Sequence, residues 1–376
     1  MTQLESENRP RLARERRVHW AWPVAGVGFV ALLGAAGFRA VPSVLIDPLH
    51  EEFGWSRTTI SAAVSVNILL YGLISPFAAA LMERLGMRRV VAGALVLIAA
   101  GSGLTIVMTT SWQLILCWGV LVGTGTGSMA LTFVATITSR WFVRHRGLVS
   151  GVLTAAGATG QLIFLPLVAV IAADHGWRAA ALLVALSALA VVPLVILFLR
   201  DQPADVGTTA YGAPADGVSD GAPDPTPPHR PAGGGGSAIR ALRALRSAAR
   251  TRTFWLLAGG FAICGASTNG LVGTHFVPAA HDHGMPATTA AGLLALVGAF
   301  DVVGTVLSGW LTDRFDPRWL LGVYYTLRGG SLMVLPHLLA PTTEPPIWAF
   351  IVFYGLDWVA TVPPTVAIAR ERFGQS

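Results

Sequence analysis

The sequence predicts an all-α protein with many membrane-spanning helices, and three observations indicate this fold class. Of its 376 residues, 53% are hydrophobic and only 12% are charged, about half the charged fraction of ordinary soluble domains. Its apolar runs repeatedly reach about 20 residues, the length that crosses the hydrocarbon core of a bilayer as a helix. All 26 basic residues are arginines, and nearly all of them stand between these runs.

Ten apolar runs are long enough to be membrane spans. Six precede a long polar segment, at 20–46, 58–82, 90–109, 112–138, 147–173 and 178–199. Four follow it, at 254–280, 288–312, 319–340 and 346–369. The chain therefore divides into four predicted regions: a cytoplasmic tail (1–19), a six-helix bundle (20–199), a cytoplasmic linker (200–252) and a four-helix bundle (253–376).

The positions of the arginines predict the orientation of the spans. If the N-terminus is cytoplasmic, only Arg57 and Arg178 fall outside, and only Arg39 and Arg328 lie within spans. Cationic side chains near span ends are retained on the cytoplasmic side, so this bias sets the topology. Residues 1–19 lack the apolar core of a cleaved signal peptide. We therefore expect a multi-pass protein of the inner (plasma) membrane.

The linker has two parts of different composition. Residues 201–237 are rich in proline, glycine, alanine and aspartate, so we expect them to be disordered. Residues 238–252 carry arginines at helical spacing among Ile239, Leu242 and Leu245. This pattern predicts a basic amphipathic helix, either lying on the anionic cytoplasmic leaflet or solvated.

Two loops are alike, one from Glu83 to Arg89 after the second span and one from Gly309 to Arg318 after the eighth. Each places an arginine directly after an acid and then adds further arginine. A second pair of basic loops, at 144–147 and 370–374, follows at a similar distance. Similar loops at similar spacing indicate a duplicated unit of six spans, the parallel repeat of one transporter fold.

At these residues the chain resembles the major facilitator superfamily, whose loop signature is Gly-x-x-x-Asp-Arg-x-Gly-Arg-Arg. The first loop has Ala79 for the first glycine, and the second has Asp316 for the second glycine. In this family the loop is a cytoplasmic latch whose charged residues bond across to helix ends in the outward-facing state. The alternative is basic flanking charge with an accidental acid. The resemblance implies the latch role for Glu83, Arg84, Gly86, Arg88, Gly309, Asp313, Arg314 and Arg318.

The same resemblance implies six spans in each half. Because the chain stops at Ser376, just after the tenth run, we expect two further spans to be missing through truncation or a broken gene. A complete protein of ten spans is the alternative.

Charged side chains within a bilayer are costly and usually mark a pathway or a pair. Arg39 can hold a carboxylate with two parallel hydrogen bonds, or it can be the structural partner of an aspartate. Asp301 can load and release a proton, or it can belong to a fixed ion pair. Asp357 precedes two prolines that interrupt its helix. Arg328 and His275 are further candidates, with structural pairing and a satisfied core histidine as their alternatives.

Three segments resemble the monocarboxylate and oxalate–formate porters of this family: residues 52–57, residues 174–178 and the region of Asp301. The resemblance implies alternating-access transport of a small organic anion, with protons as the candidate coupling ion. Thr305 stands where that branch has an arginine four residues after the aspartate. Efflux of hydrophobic compounds is one alternative, and a non-transporting membrane sensor or inactive fragment is another.

Other functional classes find little support. The net charge of +6 is spread over the loops between spans and forms no single basic face, which argues against nucleic-acid binding. His281, Asp282 and His283 cluster without a fourth metal ligand nearby. We expect no enzyme activity and no cofactor, a monomer in the lipid bilayer, and a small molecule as the bound partner.

Overall fold

The computed structural model describes residues 19–129, 131–213 and 245–373, with the backbone alone at residues 39, 40, 76, 131, 147, 158 and 370. Within these ranges the prediction of an all-α protein is confirmed, and the extended pairing found there is one isolated bridge between Phe142 and Tyr211. The predicted tail before His19 and residues 238–244 of the predicted amphipathic helix 238–252 lie outside the described residues, and residues 245–248 of that segment are helical.

Ten long helices follow one another along the described chain. They are α1 (Ala21–Phe53), α2 (Arg57–Leu85), α3 (Met87–Leu104), α4 (Ser111–Trp141), α5 (Arg146–His175), α6 (Trp177–Phe198), α7 (Arg252–Asp282), α8 (Ala287–Thr312), α9 (Pro317–Val334) and α10 (Pro345–Phe373). Short 3₁₀ turns cover Thr105–Val107, Pro203–Val206 and Leu335–His337. Wider π-helical turns interrupt α4 at Ile115–Val122 and α7 at Ala266–Val272.

Local sequence explains where neighbouring helices meet. Gly54 ends α1 in the left-handed conformation at φ +67°, which glycine adopts without a steric penalty. Two residues later Ser56 begins α2, and its side chain accepts a hydrogen bond from the backbone N–H of Thr59 at 3.1 Å. The chain therefore reverses direction within three residues.

Within the described residues, nine helices are long and apolar enough to cross a membrane, judged by length and composition. The helix outside this set is α9, which occupies the predicted span 319–340. Arg318 and Arg328 lower its mean hydropathy, and a 3₁₀ turn at Leu335–His337 follows its last helical residue. The composition of α9 therefore differs from that of the other predicted spans, although it packs against α10 in the same bundle.

The six helices of the first half pack around a core of buried valine, leucine, isoleucine and alanine side chains. In this half α1 packs on α5 and α6, α3 packs on α4 and α6, and α2 packs on α4. Asn67 of α2 donates a hydrogen bond to the Trp118 carbonyl at 2.7 Å, inside the π-helical part of α4. This bond satisfies a carbonyl where the regular helical ladder is interrupted.

The most extensive contacts between the two halves, among the described residues, are those of α1 with α7 and of α5 with α8. Because successive helices run in opposite directions, the loops after odd-numbered helices lie on one face of the molecule and those after even-numbered helices on the other. The loops 54–56 and 283–286 belong to the first face, which we term the odd face. The loops 142–145 and 313–316 belong to the second, which we term the even face.

The expected disorder of residues 201–237 is wrong for residues 201–213, which cross the even face as an ordered segment. The backbone of Tyr211 pairs with the loop after α4, its N–H donating to the Trp141 carbonyl at 2.8 Å. Its ring lies edge-on to Trp22, with centroids 5.5 Å apart. Composition averaged over the linker concealed this one aromatic residue, whose ring area offsets the cost of ordering its neighbours.

Candidate functional site

The helix α10 is broken in the middle of its predicted span. Its first helical segment ends at Asp357 and the second begins at Val362, directly before Pro363 and Pro364. Proline has no backbone N–H, so these two residues leave the carbonyls of Val359 and Ala360 without their normal helical donors. Broken helices at mid-membrane depth are tolerated only where other groups satisfy the freed backbone.

Side chains of α8 satisfy part of this break. The Asp301 Oδ1 atom accepts hydrogen bonds from the Val359 backbone N–H at 3.1 Å and from the Thr305 hydroxyl at 3.0 Å. The hydroxyl of Ser308 donates to the Ala360 carbonyl at 2.5 Å. One helix therefore supplies both an acceptor and a donor to the interrupted backbone.

The Val359 carbonyl accepts from the Val362 N–H at 2.9 Å. Arg328 of α9 bonds two further carbonyls at the break and is itself buried, with a side chain 2% exposed. Its Nη2 atom donates to the carbonyls of Asp357 and Trp358, the latter at 3.1 Å. Its Nε atom forms an ion pair with Asp357 Oδ2 at 2.7 Å, and its Nη1 atom donates to Cys264 Sγ of α7 at 3.0 Å. A single guanidinium thus connects α7, α9 and α10.

These contacts are possible because α8 and α10 approach closely. A Cβ atom on Gly304 would overlap the Leu356 carbonyl oxygen, and one on Gly355 would lie 2.6 Å from Phe300 Cβ. Small residues at such crossings let two backbones come together in a membrane. The side chains of Asp301 and Ser308 then reach the backbone of α10 directly.

The described side chains at the α10 break include two acids, Asp301 and Asp357, and one base, Arg328. We term these residues, with Ser308 and Cys264, the cluster. Arg328 pairs with Asp357, whereas the hydrogen-bond donors to Asp301 are the uncharged Thr305 and Val359. An ionised carboxylate in apolar surroundings is costly unless it is paired or neutralised. The arrangement can therefore take up one positive charge at Asp301 without breaking the Arg328–Asp357 pair.

The structure brings together three of the five intramembrane candidates, Asp301, Arg328 and Asp357. His275 lies farther along α7, half-buried and within electrostatic range of Arg57. Arg39 lies in α1, and its side chain is outside the described residues.

Sequence reasoning missed Ser308 and Cys264 as members of this cluster. Ser308 follows Asp301 by seven residues, two helical turns on one face, and this spacing is visible in the sequence. For Cys264, no sequence signal places its thiol against an arginine.

A second group of charges joins the two halves on the odd face. Arg57, at the start of α2, forms ion pairs with Asp282 of α7 at 2.5 Å and with Asp47 of α1 at 2.9 Å. A second hydrogen bond to Asp282, at 2.7 Å, makes that contact bidentate. His281 Nδ1 of α7 lies 3.7 Å from Asp47. We term Asp47, Arg57 and Asp282 the odd-face ion cluster.

The other arginine predicted to lie outside, Arg178, is paired on the same face but within the first half. It contacts Glu52 at 2.6 Å, and the indole of Trp177 donates to the same carboxylate at 2.5 Å. The segments 52–57 and 174–178 are therefore in contact, and each predicted outer arginine has an acidic partner.

On the even face, the contacts that the structure gives for the two predicted latch loops lie within their own halves. Gly86 precedes α3, and the backbone N–H of Arg88 donates to Asp201 at 2.9 Å. In the second loop, Arg318 contacts Glu371 at 3.4 Å and the guanidinium of Arg314 lies 3.8 Å from the centre of the Trp310 ring. Within the described part of the chain, the side chains of Glu83, Arg84 and Asp313 form no hydrogen bond or ion pair, and a Cβ atom on Gly309 would meet open space.

Comparison with known proteins agrees with this architecture. The family model of the Major Facilitator Superfamily matches residues 27–376. The uncharacterized MFS-type transporter YcxA of Bacillus subtilis (strain 168) is 24% identical over 366 residues, covering 94% of this chain and 80% of that protein. Monocarboxylate transporter 13 of Rattus norvegicus is 28% identical over 366 residues, covering 94% and 76%.

A solved structure supports the same fold. The xylose transporter XylE from E. coli, in a partially occluded inward open conformation, matches with a TM-score of 0.66 at 14% identity, covering 95% of this chain and 88% of that one. At this identity the likeness concerns the fold alone. The chain therefore belongs to the Major Facilitator Superfamily, whose members are multi-pass membrane transporters and not enzymes.

Proposed function

We propose that this protein is a secondary transporter that moves a small organic anion, such as a monocarboxylate, together with protons by alternating access. The observation that carries the proposal is the surplus carboxylate of Asp301 beside the complete Arg328–Asp357 pair. A proton on Asp301 neutralises the surplus without disturbing that pair. The likeness to a protein named monocarboxylate transporter supports the substrate class.

Arg39 is the proposed anion-binding residue. It stands in α1, which packs on α5 within its own half and on α7 of the other half. In this fold the substrate site lies near the bilayer midplane between the two halves. A guanidinium offers a carboxylate two parallel hydrogen bonds, which a lysine ammonium does not. His275 of α7 is proposed as a proton relay between this region and the odd face.

The odd-face ion cluster supports a state that is closed on that face. Arg57 bonds to Asp282 across the two halves, whereas the contacts of the loops on the even face lie within their own halves. With the N-terminus in the cytoplasm of the inner membrane, the odd face is external and this state opens inward. In the opposite state we expect the Arg57–Asp282 contact to break and the latch loops to bond across.

Transport by the full chain in proteoliposomes tests the proposal. With an inside-alkaline pH gradient, we expect accumulation of radiolabelled lactate or pyruvate that a protonophore abolishes. Arg39→Gln should remove uptake, whereas Glu52→Gln, which breaks an ion pair within one half, should preserve it. Asp301→Asn should lose gradient-driven accumulation and keep substrate exchange, because exchange needs no net proton movement.

The alternatives from the sequence give different results in the same vesicles. An exporter of hydrophobic compounds would transport a cationic dye and would not transport the monocarboxylates. A non-transporting sensor would move neither compound while remaining folded. If Arg39→Gln leaves carboxylate uptake unchanged, the proposed anion site is wrong.

A further inference from the structure

We propose that the break in α10 is a proton-responsive joint: Asp301 and Ser308 hold its backbone in place, and neutralising Asp301 loosens it. The inference rests on proton coupling at Asp301 and names the part of the fold that responds to the proton.

The geometry places both supports on one helix. Asp301 accepts the Val359 N–H, and Ser308 donates to the Ala360 carbonyl. These two backbone groups are adjacent in α10 and lie where Pro363 and Pro364 interrupt the ladder. The side chains of Asp301 and Ser308 therefore each bond one backbone group that has no regular helical partner.

The charge of Asp301 determines the strength of its support. A carboxylate is an acceptor only, and a hydrogen bond to an ionised acceptor is about twice as strong as a neutral one. A proton on Asp301, or replacement by asparagine, leaves an acceptor of similar shape without the charge. The Val359 N–H is then held by the weaker, neutral bond.

Other titratable groups around the joint come from three helices. Arg328 of α9 and Asp357 of α10 are paired with each other, and Tyr354 of α10 donates its hydroxyl to the Ser267 carbonyl at 3.0 Å. Cys264 of α7 contacts Arg328. The helix α5, which packs on α8, carries no titratable side chain between residues 148 and 173. Tyr325 of α9 donates its hydroxyl to the Gly260 carbonyl at 2.6 Å, and His275, the proposed relay, lies farther along α7 than Cys264. Among the described residues at the joint, Asp301 is thus the acid without an ion-pair partner.

The chain contains two cysteines, Cys117 in the π-helical part of α4 and Cys264 beside the break in α10. The Cys264 Sγ atom lies 3.2 Å from the Thr361 hydroxyl at the α10 break, and it is buried. Cys117 is buried in the π-helical part of α4, beside Trp118, whose carbonyl accepts from Asn67. Cys264 therefore reports on the joint and Cys117 provides an internal reference in the other half.

The experiment measures how fast each thiol is modified. The full chain, in proteoliposomes without substrate, is treated briefly with N-ethylmaleimide, and the ratio of modified Cys264 to modified Cys117 is determined by mass spectrometry. In Asp301→Asn at neutral pH we expect the ratio to rise about fivefold, which corresponds to ~1 kcal/mol. Ser308→Ala should raise it as well. In the unmodified protein the ratio should rise as pH falls, and in Asp301→Asn it should stay constant.

Asn67→Ala is the matched control, because it removes the corresponding support in the first half. It should speed modification of Cys117 and lower the ratio. An unchanged ratio in Asp301→Asn, or an equal rise at both cysteines in any of these variants, overturns the joint. Labelling needs no transport, so the two proposals fail separately. A proton-responsive ratio without pH-driven uptake refutes the proposed function, and uptake without a change in the ratio refutes the joint.

Discussion

Removing the ion pair between the halves should open the odd face, and the structure allows the size of the effect to be worked out. In Asp282→Asn, Arg57 loses its bidentate partner in α7 and keeps only Asp47, which belongs to the same half as Arg57. The side chains of Arg57 and Asp282 are 39% and 46% exposed. Exposed pairs contribute about 0.2–1 kcal/mol, and the bidentate geometry places this one near the upper limit. We therefore expect the equilibrium to shift about fivefold towards opening.

The distance between two spin labels on the odd face measures this shift. Asp174 in the first half and Thr343 in the second are exposed, and cysteines at these positions would carry the labels after Cys117 and Cys264 are replaced by alanine. Pulsed electron–electron double resonance should show a population at longer distance between the two labels, and this population should be about fivefold larger in Asp282→Asn.

The control is Glu52→Gln, which breaks the pair with Arg178 on the same face, at 2.6 Å and with similar exposure. Because this pair lies within one half, its loss should leave the distance distribution unchanged. Added salt should reduce the difference between the Asp282 variant and the original protein, since exposed pairs are screened. Equal distributions in Asp282→Asn and Glu52→Gln would refute the reasoning.

Three further predictions concern stability and local order. Arg328→Met should lower the free energy of unfolding by about 3–5 kcal/mol, because it leaves Asp357 buried without its charged partner. The added substitution Asp357→Leu should restore much of the loss. A melting curve in detergent that shows no restoration would contradict this. Gly304→Ala should cost about 1–3 kcal/mol through overlap with α10, whereas Gly292→Ala, in open space on the same helix, should be tolerated. Tyr211→Ala should speed amide hydrogen exchange across residues 201–213, and protection equal to that of the original protein would show that the aromatic contacts do not order this segment.

Much of the fold could be predicted from the sequence because membrane insertion depends on local properties. The length of each apolar run and the arginines at its ends are visible without any long-range contact. The helix ends were less predictable: the first run was predicted to end at residue 46, whereas α1 continues to Phe53, where Gly54 ends it. The span 319–340 stays a prediction, because Arg318 and Arg328 lower the mean hydropathy of α9 although Asp357 pairs with Arg328 inside the bundle.

The candidate site could be predicted only in part. Asp301, Arg328 and Asp357 were identifiable because charge in an apolar run is rare, yet each had a structural and a functional interpretation. The partner of each charge lies on another helix, so sequence distance says nothing about it. Ser308 illustrates the limit, since a serine in an apolar helix is ordinary until the Ala360 carbonyl is found opposite its hydroxyl.

The sequence by itself determined that lipid surrounds most of these helices, how many runs are available to cross it, and which residues carry charge inside them. Only the tertiary structure decided that Arg328 belongs to Asp357, that α8 supports the break in α10, and that Arg57 joins the two halves. The physical reason is the sequence distance over which each kind of interaction acts. Hydropathy and helix capping act over a few neighbouring residues. Ion pairs and backbone hydrogen bonds between helices require close packing, at glycines such as Gly304, to bring distant segments within 3 Å.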